Sequence, residues 1–360
     1  LIKVLIAPLD WGLGHATRCI PIIRVLQQNG CQIIVAASSM QKELLEKELI
    51  NIRFIDLKSY NIYYSKHRWN LGFIMFRQLK KINTAIKNEH TWLQKIIEIE
   101  KINVVISDNR YGLYSTKIPC VLMTHQLRIA AAFSWIEKFL QRINYRYIQQ
   151  FTECWVPDFS SEKNLAGKLS HPKLLPTTPV FYMGTLSRFI PTSTITQIIQ
   201  YNACFLLSGP EPQRTLLEQK LIQQAAQLPE KNFLLVRGLP NAIVKIQFTP
   251  NVKVVNHLNE QELLQAISGS SFIISRSGYT TVMEMMTLQK KCIFIPTPGQ
   301  TEQEYLATHL QHQQYCLSYQ QSTFHLDKAL KIAENFSFQF PQLPSANLQT
   351  FIIDFLQRIA

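Results

Sequence analysis

Short apolar runs alternate with segments in which hydrophobic residues return every three or four positions, from one end of the chain to the other. The first run, Lys3 to Leu9, is apolar at successive positions from Val4 onward, which fits a strand buried on both faces. Asp10-Trp-Gly-Leu-Gly-His-Ala-Thr17 follows at once, and then a helical spacing through Ile20, Ile23 and Leu26. Read this way, the first half carries strands at Lys3–Ala7, Gln32–Ala36, Asn51–Ile55, Val104–Ser107, Cys120–Met123 and Cys154–Val156. The second half carries them at Ala203–Leu207, Asn232–Val236, Val252–Val255, Phe272–Ile274, Cys292–Ile295 and Tyr315–Leu317. Helical patterns separate most of these runs, and one helix is expected to begin near Tyr111. Strands alternating with helices build βαβ units, so the expected class is α/β with parallel sheets.

A chain of 360 residues with 46% hydrophobic content is too long for one ordinary core and comfortable for two. The boundary is expected in the Pro-, Ser- and Gly-containing region from Pro157 to Thr192, where Pro172, Pro176, Pro179 and Pro191 disfavour a continuous element. Within it, Val180 to Met183 reads as a short strand delivering the chain to the second domain. The expected division is 1–185, 186–340, and a C-terminal amphipathic helix in 341–360 carrying Leu348, Phe351, Ile352, Phe355 and Ile359. A ligand cleft is then expected between the two sheets.

The segment Ser275 to Ala307 holds the most specific chemistry. An apolar run ends at Arg276-Ser-Gly-Tyr-Thr-Thr281 and a helical spacing follows through Val282, Met285, Met286 and Leu288. A second run, Cys292 to Ile295, ends at Pro296 and Pro298, with a helix expected from Thr301. Strand-to-helix turns at the carboxyl ends of strands are where open α/β sheets bind ligands. Ser277, Gly278, Thr280 and Thr281 are small and offer amides and hydroxyls to a pyrophosphate at a helix N-terminus. Glu284 has the acceptors for two ribose hydroxyls, while Gln300, Gln303 and Glu304 mix donors and acceptors in the way a sugar ring requires.

At these residues the chain resembles the GT-B glycosyltransferases, in particular the family 28-like branch that contains the lipid II-forming N-acetylglucosaminyltransferase. Arg276, Ser277, Gly278, Glu284, Pro296 and Gln303 stand where that family has its Arg-Ser-Gly element, ribose-binding glutamate and glutamine after a proline-bounded strand; Glu304 replaces a second glutamine. The resemblance implies two Rossmann-like domains facing the cleft, the second binding a UDP-sugar, and a C-terminal helix crossing back to the first. It also implies a glycine-rich first loop that faces the acceptor and ends in histidine: here Gly12, Gly14 and His15. His15 suits the base that takes a proton from an attacking hydroxyl. Asp108, at the end of another strand, is implied as its orienting partner, the alternative being that it caps the helix near Tyr111. Asp10 and His125 are weaker candidates. Gly209 matches a diphosphate loop, although Pro210 and Pro212 have no N–H to offer. Arg214 either compensates or sits on a helix surface, and Leu258 matches a uracil contact.

The formal net charge of +13 favours anionic partners. Lys and Arg are dense between Lys58 and Lys101, among Tyr60, Tyr63, Tyr64, Trp69, Phe73 and Phe76. That pattern fits an anionic membrane face and a lipid-linked acceptor, fits single-stranded nucleic acid, and equally fits a solvated face whose apolar side (Leu79, Ile82, Ile86, Leu93, Ile96, Ile97) is buried. No run is long enough to span a bilayer and no signal-like segment precedes Lys3, so a cytoplasmic enzyme, peripheral on the inner membrane face, is expected. Seven scattered cysteines read as reduced core residues. No Cys/His spacing or Asp-x-Asp pair suggests a metal, and neither metal nor cofactor is expected. The leading expectation is an inverting, metal-independent transfer of N-acetylglucosamine from UDP to an acceptor hydroxyl. The alternatives are a UDP-sugar hydrolase on the same scaffold and a non-catalytic basic nucleic-acid-binding module.

Overall fold

Continuous apolar runs do form strands buried on both faces: Val4, Leu5, Ile6 and Ala7 are all fully enclosed. The computed structural model describes residues 1–10, 12–58, 71–129, 134–189, 198–240, 249–343 and 347–359. Its chain divides into two compact units, Leu1–Leu186 with Pro344–Ala360, and Ser187–Leu343.

The first unit runs β1 (Lys3–Pro8), α1 (Leu13–Gln28), β2 (Gln32–Ala37), α2 (Ser39–Glu48), β3 (Arg53–Asp56) and α3 (Leu71–Glu100). It continues through β4 (Val104–Asp108), β5 (Cys120–Met123), α4 (Ser134–Ile148), β6 (Glu153–Val156) and β7 (Val180–Tyr182). Its seven-stranded sheet has the order β3-β2-β1-β4-β5-β6-β7, with every pairing parallel. The order reverses between β1 and β4, whose register sets Pro8 opposite Asp108. Ile86, Leu93 and Ile97 of α3 are buried, as the apolar spacing of that helix predicts. Tyr60, Tyr63, Tyr64 and Trp69 lie outside the described residues, as do the side chains of Phe73 and Phe76.

Two local expectations change. The third strand starts at Arg53 instead of Asn51, because Asn51 adopts a left-handed φ of 58° that cannot open a strand. No helix begins near Tyr111. Asn109 is also left-handed, at φ 56°, and its N–H bonds back to Met123 O at 3.0 Å, so the chain turns instead of coiling. The capping alternative for Asp108 falls with that helix.

The second unit runs β8 (Tyr201–Leu206), α5 (Gln213–Ala225), β9 (Phe233–Val236), β10 (Val252–Val255), α6 (Glu260–Ser268) and β11 (Ser270–Ser275). It continues with α7 (Tyr279–Thr287), β12 (Cys292–Phe294), α8 (Thr301–His312), β13 (Cys316–Ser318) and α9 (Leu326–Asn335). The six strands are again all parallel, in the order β10-β9-β8-β11-β12-β13. Here the reversal lies between β8 and β11. Phe205 and Phe233 stack at 5.2 Å in a core that α5 and α9 close through Leu217, Leu221, Leu326 and Leu330.

The last helix, α10 (Leu348–Ile359), belongs to the first unit. Phe351 and Phe355 meet the buried Trp155 edge-to-face at 5.0 and 4.8 Å. Beside them Glu153 accepts Trp155 Nε1–H at 2.9 Å and Arg358 Nη2–H at 3.1 Å. Phe355→Ala is therefore expected to cost about 3–5 kcal/mol in the first unit. Urea unfolding followed by tryptophan fluorescence checks this, and an unchanged midpoint would remove α10 from that core.

Candidate active site

The loop after β1 turns through Gly12, whose φ of 119° is open to glycine but strained for any other residue. Gly14 and His15 then fall in the first turn of α1, which carries His15 across the end of β4. His15 Nδ1 lies 2.9 Å from Asp108 Oδ2. Asp108 is fully buried, whereas the His15 side chain keeps 18% of its surface exposed. The ring can thus meet a substrate while its partner cannot.

Asp108 is held by a second group, Arg18, one turn along α1. Arg18 Nε donates to Asp108 Oδ2 at 2.8 Å and Nη2 donates to Oδ1, a two-pronged contact in which both partners are buried. The same Nη2 lies 2.9 Å from His15 Nδ1, and Nη1 lies 3.4 Å from His125 Nδ1. Burial alone would raise the Asp108 carboxyl, but the charges of Arg18 and His15 and their hydrogen bonds hold it down at about 2. His15 is pushed below its ordinary value, first by burial and then by Arg18 and His125, against the pull of Asp108. A neutral imidazole beside an ionised carboxylate can accept a proton at its outer nitrogen. Asp10 sits elsewhere, with Oδ1 3.7 Å from Arg110 Nη1.

In the second unit, Gly209 follows β8 with φ 104°, and Gly278 caps α7 after β11. A methyl built on either, or on Gly12, would meet no atom within 4 Å, so all three loops border open space. The first turn of α7 has no side-chain cap, and Thr280 stands in it. Arg276 faces inward: Nη1 donates to Ile295 O and Pro296 O at 3.0 and 3.2 Å, and Nη2 to Gln213 O at 2.7 Å. Burial lowers its guanidinium to about 10. It staples three loop ends at one edge of the sheet. Ser277 is likewise buried, donating to Gln303 O at 2.8 Å, and Gln303 Oε1 accepts Thr297 N–H at 2.9 Å. Glu304 Oε1 accepts Gly299 N–H at 3.0 Å, and Gln300 caps α8. Leu258 is half-buried in the loop after β10.

Glu284 is buried in α7 and accepts Arg188 Nε–H at 2.8 Å. Burial raises its carboxyl and Arg188 only partly offsets this. Arg214 adopts neither of its expected roles. It is buried between Glu211 and Glu218, at 2.7 and 2.6 Å, with Arg237 on the far side of Glu218 at 2.8 Å. Arg18 and Arg188 are the functional candidates that reading the sequence overlooks. Arg18 stands three residues after His15, a helical spacing that signals contact; Arg188 is 96 residues from Glu284 and leaves no local signal.

Residues 204–352 match the model of the Glycosyltransferase family 28 C-terminal domain. An uncharacterized glycosyltransferase of Methanosarcina acetivorans is 23% identical over 331 residues, covering 87% of this chain and 84% of that protein. MurG of Acinetobacter baumannii superposes with a TM-score of 0.57 at 16% identity, over 99% of this chain and 100% of that one. Spinosyn rhamnosyltransferase SpnG, complexed with thymidine diphosphate, gives 0.64 at 12% identity over 99% and 100%. The chain is a glycosyltransferase with the GT-B fold, built from two Rossmann-like parallel-sheet domains, and its likeness to family 28 is carried by residues 204–352.

Asp108→Asn strands Arg18 in a buried position, so it is expected to destabilise the protein by about 3–5 kcal/mol at pH 7. The carboxyl of Asp108 drops from 3.8 to about 2, so its contribution is present above the ordinary value and lost as pH falls between them. Urea melts from pH 7 downward should show the gap between variant and parent closing below about pH 4. A constant gap would mean that Asp108 is not the ionised partner.

Proposed function

We propose that the protein is an inverting, metal-independent glycosyltransferase that moves N-acetylglucosamine from UDP to an acceptor hydroxyl on a lipid-linked or cell-envelope glycan. The observation that carries this reading is the pairing of partly exposed His15 with buried Asp108 at the β1/β4 reversal. His15 takes the acceptor proton at Nε2 as the acceptor oxygen bonds to the anomeric carbon. The bond to the diphosphate breaks with its electron pair on UDP, and configuration inverts. The uncapped amides of α7, with Thr280 and the open loops at Gly209 and Gly278, receive the charge growing on the leaving group. A donor of nucleoside diphosphate type agrees with the ligand of SpnG. Among the described residues no group of three or more His, Cys, Asp or Glu is placed to hold a metal ion.

Glu284 accepts the ribose hydroxyls, sharing its carboxylate with Arg188. Leu258 lies against the base. With Oε1 bound to Thr297, Gln303 turns its amide donor toward the sugar, while Gln300 and Glu304 accept from it. Arg276 and Ser277 act by fixing these loops. His15→Ala should keep UDP affinity and lose about 10²–10⁴-fold in turnover. Glu284→Ala should do the reverse, weakening UDP binding by roughly 1.5–3 kcal/mol for a charge-assisted bond. Calorimetry with UDP and product assays with a lipid extract separate the two; full activity in His15→Ala would sink the base assignment, and UDP release that no acceptor accelerates would mark a hydrolase.

Peripheral attachment to the inner membrane face also belongs to this reading. No helix among the described residues is long and apolar enough to cross a membrane. On α4, however, Trp135 and Phe139 are 70% and 53% exposed one turn apart, with Lys138, Arg142 and Arg146 on the same outer face. Tyr145 Oη–H donates to Leu174 O at 2.5 Å, which brings Leu174 and Leu175 beside that helix, 78% and 52% exposed. Aromatic and aliphatic side chains ringed by cations suit an anionic bilayer surface. Co-sedimentation with vesicles of anionic phospholipid should fall by about tenfold or more in a Trp135→Glu, Phe139→Glu variant. Undiminished binding would place the contact elsewhere.

A further inference from the structure

Every polar group around His15 has an ordinary role in a base-and-carboxylate pair except Arg18. An Asp108 serving only to orient an imidazole needs no second cation, and a buried guanidinium is costly to place. Yet Arg18 is enclosed in α1 with its fork on both oxygens of Asp108. Its Nη2 reaches His15 Nδ1 at 2.9 Å, the distance at which Asp108 Oδ2 also stands. One ring nitrogen therefore faces an acceptor and a cationic donor together. A guanidinium has no lone pair to offer, so a proton on Nδ1 meets Asp108 favourably and Arg18 unfavourably. On a doubly protonated ring that conflict is permanent, and two positive charges adjoin. The neutral ring that serves as base instead gives its single Nδ1 proton to Asp108 Oδ2 and keeps the Nε2 lone pair free.

We propose that Arg18 is a positioning residue that keeps His15 neutral, by saturating Asp108 and by setting a fixed positive charge beside the ring that a second ring proton would have to join. The inference rests on the reading of His15 as the base and adds what sets its working range. Without Arg18, Asp108 would hold its full charge for His15 and stabilise the imidazolium, closing the enzyme at mildly acidic pH. The remaining neighbours supply less of this effect or none. Cys19 Sγ is 4.0 Å from Asp108 Oδ2 and its thiol is raised by burial, so it stays uncharged. His125 Nδ1 lies 3.4 Å from Arg18 Nη1 and pushes His15 the same way, but less than Arg18 does. From α2 the buried polar group is Gln41, bound to Leu9 O at 2.6 Å, while Lys42 and Glu46 pair with each other toward solvent. From α10, Arg358 is engaged with Glu153 and Asp354 is exposed. Arg110, under the end of β1, is taken by Glu89 at 2.7 Å.

The test titrates His15 by NMR in the full-length protein, alongside the pH profile of turnover, for the parent, R18M and R18K. In R18M the His15 titration should move up by about one pH unit or more, as expected for removal of an adjacent like charge. A neutral base is then lost at acidic pH, so turnover should fall about tenfold per pH unit below the new midpoint and recover at alkaline pH. R18K, keeping the charge, should move the titration less. If R18M does not fold, the same comparison is made between D108N and R18M/D108N, in which the buried carboxylate is neutral and loss of Arg18 should again raise the His15 titration. An unmoved titration in these pairs overturns the inference. A titration that rises while the rate profile stays fixed supports it and refutes His15 as the base, since the NMR measurement needs no turnover.

Discussion

The arrangement depends on one topological constraint, the reversal of strand order in each parallel sheet. Where two neighbouring parallel strands send their following segments to opposite faces, an opening is left at the carboxyl edge that no connection can cover. In the first unit this falls between β1 and β4, and in the second between β8 and β11. Nearly all of the candidate chemistry hangs from those four strand ends and from β12 beside them. Pairing of Pro8 with Asp108 fixes how far the carboxylate stands from the start of α1, and pairing of Leu206 with Ser275 does the same for the Gly209 and Ser277 loops.

The strands were legible because a parallel sheet covered on both sides demands unbroken apolar runs, and few other structures do. Val104 to Ser107 and Cys292 to Ile295 could be read on that ground alone. Where reading failed, backbone conformation was the cause: the left-handed turns at Asn51 and Asn109 displace a strand start and abolish a helix, and asparagine signals such a turn only weakly. The site was half legible. Gly12, His15, Ser277 and Glu284 sit in local patterns, but the direction of a side chain is set by distant partners. Nothing near Arg276 tells that its guanidinium turns to carbonyls of two other loops, and nothing near Glu284 announces Arg188.

Buried carboxylates at these loops are each gripped by arginine: Asp108 by Arg18, Glu284 by Arg188, Glu218 by Arg214 and Arg237. Such pairs add little net stability compared with apolar packing, because two charges must leave water. Their value is geometric. A planar fork restrains both oxygens of Asp108 and of Glu218 where lysine would hold one point, so these acids keep a fixed orientation toward whatever approaches them, and Glu284 is held through one oxygen. Loops that must leave backbone amides exposed have little apolar packing of their own, and these contacts replace it.

The contact of Trp155 with Phe351 and Phe355 joins residues separated by the entire second unit. During vectorial synthesis the second unit, continuous from Ser187 to Leu343, has all of its strands before α10 exists. The first unit, begun earlier, is completed later. Until α10 leaves the ribosome, the aromatic face around Trp155 stays uncovered, an apolar patch of the kind that chaperones bind and aggregation exploits. Maturation of the first unit is thereby tied to translation having passed through the second.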